Sequence, residues 1–191
     1  VVPYCPRCGT ALSSHEVAQG YKDVKERSAT VRFRLTDEDA SILAWTTTPW
    51  TLPSNVCLCV NANVEYCRAK KDGEVFILAT ELVKTILGEE DVEIIDTFPG
   101  SALVGRTYKP LFECTAKMVG NDKAFVVIAD DYVTTTDGTG IVHNAPAFGE
   151  DDARVCKANG LAFIQPVNTK GELCGGTPWD GMFVKDADKE I

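Results

Sequence analysis

Two stretches of this 191-residue chain carry side chains whose types and spacing suit chemistry. The first is Trp45-Thr46-Thr47-Thr48-Pro49-Trp50-Thr51-Leu52-Pro53-Ser54-Asn55. Three consecutive hydroxyls at a strand end, stiffened by two prolines and flanked by tryptophans, offer short donors and acceptors to a ligand with little side-chain freedom to lose. The same composition also fits a turn whose hydroxyls bond their own backbone beside tryptophans packed in a core. The second stretch runs Gly138-Thr139-Gly140-Ile141-Val142-His143-Asn144-Ala145-Pro146-Ala147-Phe148-Gly149-Glu150-Asp151-Asp152. Its glycines let backbone approach a ligand closely, and Pro146 with Gly149 imposes a tight loop between a strand and a helix. His143, one of two histidines, is either a hydrogen-bonded structural residue or a site residue. Glu150, Asp151 and Asp152 complement a helix dipole, but three acids exceed what capping uses. A carboxylate at the mouth of a pocket suits an ammonium group through a charge-assisted hydrogen bond.

Other chemistries lack their parts. The glycine-rich run has no Gly-Lys-Ser/Thr ending, and no strand–GxGxxG–helix unit occurs, so nucleotide binding by those routes is excluded. There is no Gly-x-Ser-x-Gly elbow and no serine placed for His143 to activate, so any hydrolysis would use water directly. Cys5 and Cys8 have the spacing of half a zinc site, and a closed structural site needs four ligands. Zinc there would need His15, Cys174 or residues from elsewhere; no metal and no other cofactor is assigned to the two site stretches. Cys57 and Cys59, two apart, fall on one face of a strand, where buried cysteine acts as a small hydrophobe.

Composition bounds the partners. Nineteen basic against 28 acidic residues give a net charge of −9, without the basic footprint of a protein that neutralises many phosphates. Nucleic acid is therefore either not a partner, or is delivered by the rest of a larger protein so that only its end reaches this chain. The longest apolar run, Ala124 to Ala129, is far short of the roughly 18 residues of a membrane span. Eight scattered cysteines without a signal peptide read as thiols of a cytoplasmic protein. The opening Val1-Val2-Pro3 reads as the start of an excised piece, and the length fits one domain over residues 1–191.

The elements that must position the two stretches are mostly strands. Period-two alternation marks 31–35, and strands are expected at 41–46, 56–60, 64–69, 74–79, 92–96, 124–129 and 141–142. Lys71-Asp72-Gly73 makes a hairpin turn. Helices are expected at 81–87, stopped by Gly88, and at 150–158, closed by Gly160. Residues 13–16 show no clear periodicity, and the stretch around Pro99-Gly100 and Pro110 reads as loop and edge structure. The fold class is α+β and β-rich, a barrel-like or sandwich body decorated by short helices.

Together the two stretches resemble the editing, or connective-peptide, domain of class I aminoacyl-tRNA synthetases of the isoleucyl type, with Cys5-Pro6-Arg7-Cys8-Gly9-Thr10-Ala11-Leu12-Ser13 as weaker support towards eukaryotic-type sequences. Valyl and leucyl editing domains typically carry Thr-Thr-Arg-Pro and then an acid, where this chain has Thr48 and Trp50. The resemblance implies hydrolysis of the ester joining valine to the 3′-terminal adenosine of isoleucine tRNA, in a pocket that admits valine and refuses isoleucine. Selection of isoleucine over valine is the standing example of one methylene giving too little discrimination in a single step. By the same resemblance Asp152 holds the α-ammonium, and Thr46, Thr47 and Thr48 contact the aminoacyl group, the adenosine and the reacting water. Trp45 and His143 shape the side-chain pocket, and Asn55 supports substrate binding. The implied partners are the tRNA end and the catalytic and tRNA-binding domains of a parent synthetase, with no membrane. A non-catalytic binding module and a zinc-ribbon structural module are the alternatives.

Overall fold

The computed structural model describes residues 3–23 and 27–191; Val1 and Val2 of the opening tripeptide lie outside them. A small hairpin, β1 (Tyr4–Cys5) with β2 (Thr10–Ala11), is followed by α1 (Ser14–Gln19). Helix α1 was not expected from periodicity. Its signal is the capping box in which Ser13 Oγ accepts from the Glu16 N–H and Glu16 accepts from the Ser13 N–H.

Two open sheets form the body. The larger has the order β3-β4-β7-β6-β8, from β3 (Ala29–Arg34), β4 (Ser41–Thr46), β7 (Glu74–Ala79), β6 (Glu65–Lys71) and β8 (Glu93–Pro99). The smaller has the order β10-β5-β9, from β10 (Val142–Asn144), β5 (Cys57–Val60) and β9 (Val126–Ala129). Neighbours run antiparallel except β4 with β7 and β5 with β9. The β-rich α+β class holds, and the sheets do not close into a barrel.

Side-chain alternation explains why β4, β5 and β7 are buried on both faces. Ile42, Ala44, Leu58, Val60, Ile77 and Ala79 point into one cluster between the sheets, with Phe33, Tyr66, Tyr108 and Val127. Leu43, Phe76 and Leu78 point away from it, under Val83 of α2 (Val83–Leu87). Cys57 and Cys59 share the opposite face of β5, as their spacing requires, and pack with Val155 and Cys156 of α4 (Glu150–Ala158) and Val119 of α3 (Glu113–Val119). The order of layers is thus helix, five-stranded sheet, three-stranded sheet, helices. Helix α3 and the short α5 (Val184–Ala187) fall where no element was expected. Thr115 Oγ1 of α3 donates to the Pro53 carbonyl at 2.9 Å and braces the first site stretch from behind. No helix among the described residues is long and apolar enough to cross a membrane.

Candidate functional site

The threonine run begins as the last residue of β4. Thr46 Oγ1 accepts the Thr48 N–H at 3.0 Å, which turns the chain out of the strand. Pro49 then opens a 3-10 turn, Pro49–Ser54, its fixed φ suiting a first helical position. Asn55 ends the turn, and the Val56 N–H donates to the Asn144 carbonyl, which ties this segment to β10. Local hydroxyl turn and ligand-facing loop therefore coexist. Thr46 is buried, Thr48 half-buried and Thr47 exposed, with no side-chain hydrogen bond to the Thr47 hydroxyl among the described residues.

The second stretch lies against the first. Gly138 has φ +71, and a Cβ there would meet Trp45 Cβ at 3.1 Å, so only glycine lets this loop rest on the indole. The Thr139 carbonyl accepts the Ala79 N–H, which pins the loop to the end of β7. In β10, His143 is opposite Leu58 and Asn144 opposite Cys57. Trp45, Thr46, Thr47, Thr48, His143 and Asp152 line one cleft of about 290 Å³, together with Thr51, Val142, Ala145 and Phe148.

Asp152 sits in the first turn of α4 but does not cap it. Its carboxylate reaches back to β10, accepting the Ala145 N–H at 2.9 Å and Asn144 Nδ2 at 2.8 Å. Burial pushes its proton affinity up and these two donors oppose that. Each oxygen keeps a lone pair for a further donor, so a cation in the cleft would complete the carboxylate's partners. Asn144 had no role assigned from sequence. Its fully buried amide spends one proton on Tyr132 and the other on Asp152, which fixes the direction of the acid.

His143 has both ring nitrogens engaged. Nε2 lies 2.9 Å from Thr51 Oγ1, and Nδ1 lies 3.4 Å from Asn55 Nδ2. The amide nitrogen can only donate, so Nδ1 carries the lone pair and the proton sits on Nε2. Thr51 gives its own proton to the Thr48 carbonyl and accepts from the imidazole. Burial holds the ring neutral, its pKa lowered from 6.5 to about 4. With both nitrogens engaged, the ring turns no spare lone pair towards the cleft that it lines. Asn55 is 1% exposed and stands behind His143, away from the cleft surface. Thr51 and Phe148 were also unassigned; the three-residue step from Thr48 to Thr51 along a 3-10 turn is the signal that joins the former to the threonine run.

Cys5 ends β1 and Cys8 lies in the turn that follows, from where its hydrogen bonds lower the Cys5 thiol's pKa. Among the described residues no three His, Cys, Asp or Glu side chains converge on a common point, so neither His15 nor Cys174 joins the pair. The pair supplies two of the four ligands that a closed zinc site needs. All eight cysteines are free thiols.

No protein-family model matches the chain. Isoleucine--tRNA ligase of Clostridium kluyveri is 53% identical over the whole chain, and those of Clostridium tetani and Bacillus thuringiensis are 54% and 52% identical over the same extent. The chain is homologous to a segment of isoleucine--tRNA ligase. It spans 18% of the length of each of these relatives, all three of which are bacterial, so the leaning towards eukaryotic sequences has no counterpart among them. Among solved structures, the crystal structure of GlLeuRS-CP1 superposes with TM-score 0.67 at 15% identity, covering 86% of this chain and 93% of that one. The Plasmodium knowlesi cytosolic leucyl-tRNA synthetase editing domain gives 0.54 at 13%, covering 73% and 66%. At such identities the likeness is one of fold: the chain has the architecture of a synthetase CP1 editing domain.

Proposed function

We propose that this cleft is an editing site that hydrolyses the ester between valine and the 3′-terminal adenosine of isoleucine tRNA, within a parent synthetase of which residues 1–191 form the editing domain. The observation that carries it is the convergence of Asp152 with Thr46, Thr47 and Thr48 on one cleft. Asp152, with its two protein donors on one side, accepts the α-ammonium on the other. Trp45 and His143 bound the amino-acid side chain, and Asn55 supports His143 from behind.

Water attacks the ester carbonyl, the tetrahedral oxyanion forms, and the ribose oxygen leaves with a proton that derives from the water. Threonine hydroxyls fixed at the strand end suit stabilisation of the developing oxyanion and alignment of that water. The Nε2–H imidazole does not take the proton; the neighbouring ribose hydroxyl of the substrate can relay it. An aminoacyl ester is already activated, so a metal is not invoked. A methyl group too many meets a braced wall, and overpacking of this kind costs about 1–3 kcal/mol.

The test is deacylation of valine-charged isoleucine tRNA by the synthetase carrying this chain, in parallel with the isoleucine-charged form. The valyl ester is expected to be cleaved and the isoleucyl ester spared. Asp152→Ala should lose at least about tenfold in rate, the scale of one hydrogen bond to a charged group, with the thermal unfolding midpoint retained. Undiminished cleavage by that variant would remove the ammonium anchor. Equal affinity for non-hydrolysable valyl- and isoleucyl-adenosine analogues would favour a binding module without a size sieve.

A further inference from the structure

One buried group near the site has no part in the chemistry above. Tyr108 is 2% exposed and lies between the sheets, edge-on to Phe33 at 5.3 Å and to Phe125 at 6.2 Å. A buried tyrosine hydroxyl needs a polar partner, and this one reaches Asn55 Oδ1 at 2.7 Å. Asn55 Nδ2 in turn lies 3.1 Å from the Cys57 carbonyl and 3.4 Å from His143 Nδ1.

The direction of every proton in this chain follows from its two ends. The Cys57 carbonyl only accepts, so the amide presents its nitrogen there and its oxygen to Tyr108, which therefore donates. The second amide proton faces His143 Nδ1, which must accept. Nε2 then carries the ring proton and donates to Thr51, whose hydroxyl donates to the Thr48 carbonyl. Every member is satisfied, which is the condition under which a buried polar network specifies one arrangement.

We propose that Tyr108 is a positioning residue for the cleft, acting through Asn55 to hold His143 as its Nε2–H tautomer in a single ring orientation, with no lone pair turned towards substrate. The phenol is the only partner of Asn55 Oδ1 among the described residues. Without it the buried Oδ1 is left unpaired, the amide's orientation rests on the Cys57 carbonyl alone, and the hold of Nδ2 on His143 Nδ1 weakens. Raised proton affinity of the fully buried phenol keeps it a donor across the working pH range. The consequence for size selection rests on the editing function proposed above; the tautomer does not.

The chain holds two histidines, so selective ¹⁵N labelling of histidine gives two imidazole signals, with exposed His15 as internal reference. Long-range proton–nitrogen correlation is expected to give one Nε2–H form for His143 in the wild-type chain. In Tyr108→Phe the Nδ1–H form should rise about tenfold, the equilibrium shift that loss of one net hydrogen bond brings. The ratio of valyl to isoleucyl ester cleavage by the synthetase should fall by a similar factor. A wild-type Nδ1–H form, or an unchanged single form in Tyr108→Phe, overturns the assignment whatever the activity. Should Tyr108→Phe fail to fold, Asn55→Asp decides: a carboxylate facing Nδ1 should put a proton on that nitrogen, and an Nδ1 that stays unprotonated refutes the relay. Cleavage absent from the wild type, with the tautomers as expected, counts against editing and not against Tyr108.

Discussion

Acidification should destabilise this protein through His143 before its carboxylates titrate. The ring is buried and neutral, with a pKa lowered from 6.5 to about 4. The unfolded chain therefore takes up a proton that the folded chain refuses. Stability is full above the ordinary value and is lost as pH falls from there towards the folded value. A shift of 2.5 units, at about 1.4 kcal/mol each, corresponds to a total of about 3 kcal/mol, of which about 2 kcal/mol is lost by roughly pH 5. Asp152 acts in the opposite sense, because burial raises its proton affinity in the fold and acid favours that state. Comparison with His143→Gln isolates the imidazole, since glutamine can both donate to Thr51 and accept from Asn55 while gaining no charge. The assay is urea unfolding at pH 7.5 and pH 5.0 for both proteins. The wild type should lose about 2 kcal/mol more than the variant. Equal losses would mean that His143 titrates normally and that its nitrogens are not engaged as described.

Two glycine substitutions test the packing of the site. At Gly149 a Cβ would stand 2.8 Å from Asp152 Cγ and 2.9 Å from Oδ2, so Gly149→Ala must displace the carboxylate. Its rate of valyl ester cleavage should fall about tenfold or more with little change in the unfolding midpoint, and wild-type activity would contradict the placement of Asp152. At Gly140, φ is +74 and a Cβ would meet Ala79 Cβ at 2.6 Å. Gly140→Ala should cost about 2–3 kcal/mol in urea unfolding, whereas a change below about 0.5 kcal/mol would show that the loop is not pressed onto β7.

Most strands were legible from period-two patterning, because alternation between two faces is written residue by residue. Helix α4 was legible from its acids and from Gly160. Helix α3 was not, since Glu113–Val119 has only seven residues and is held by tertiary contacts, with Val119 packed in a core cluster and Thr115 reaching Pro53 across 62 positions of sequence. Helix α1 could have been found from its Ser13–Glu16 capping box, which is a local signal.

The sequence by itself determined which residues could do chemistry: a threonine run stiffened by prolines, one histidine in a glycine-rich stretch, and an acid nine positions after it. These are properties of residue type and of short spacing. Only the tertiary structure decided what each touches. Pairing of β10 with β5 brings His143 against Thr51 and Asn55 across some 90 positions, and the donor and acceptor they offer engage both of its nitrogens. The Asn144 amide turns Asp152 away from capping its own helix and towards the cleft. Tyr108, ordinary in sequence, becomes relevant because a buried hydroxyl must find a partner and the fold offers it Asn55. Hydrogen-bond direction depends on which groups face one another, and that is fixed by strand register and layer packing, not by the order of residues along the chain.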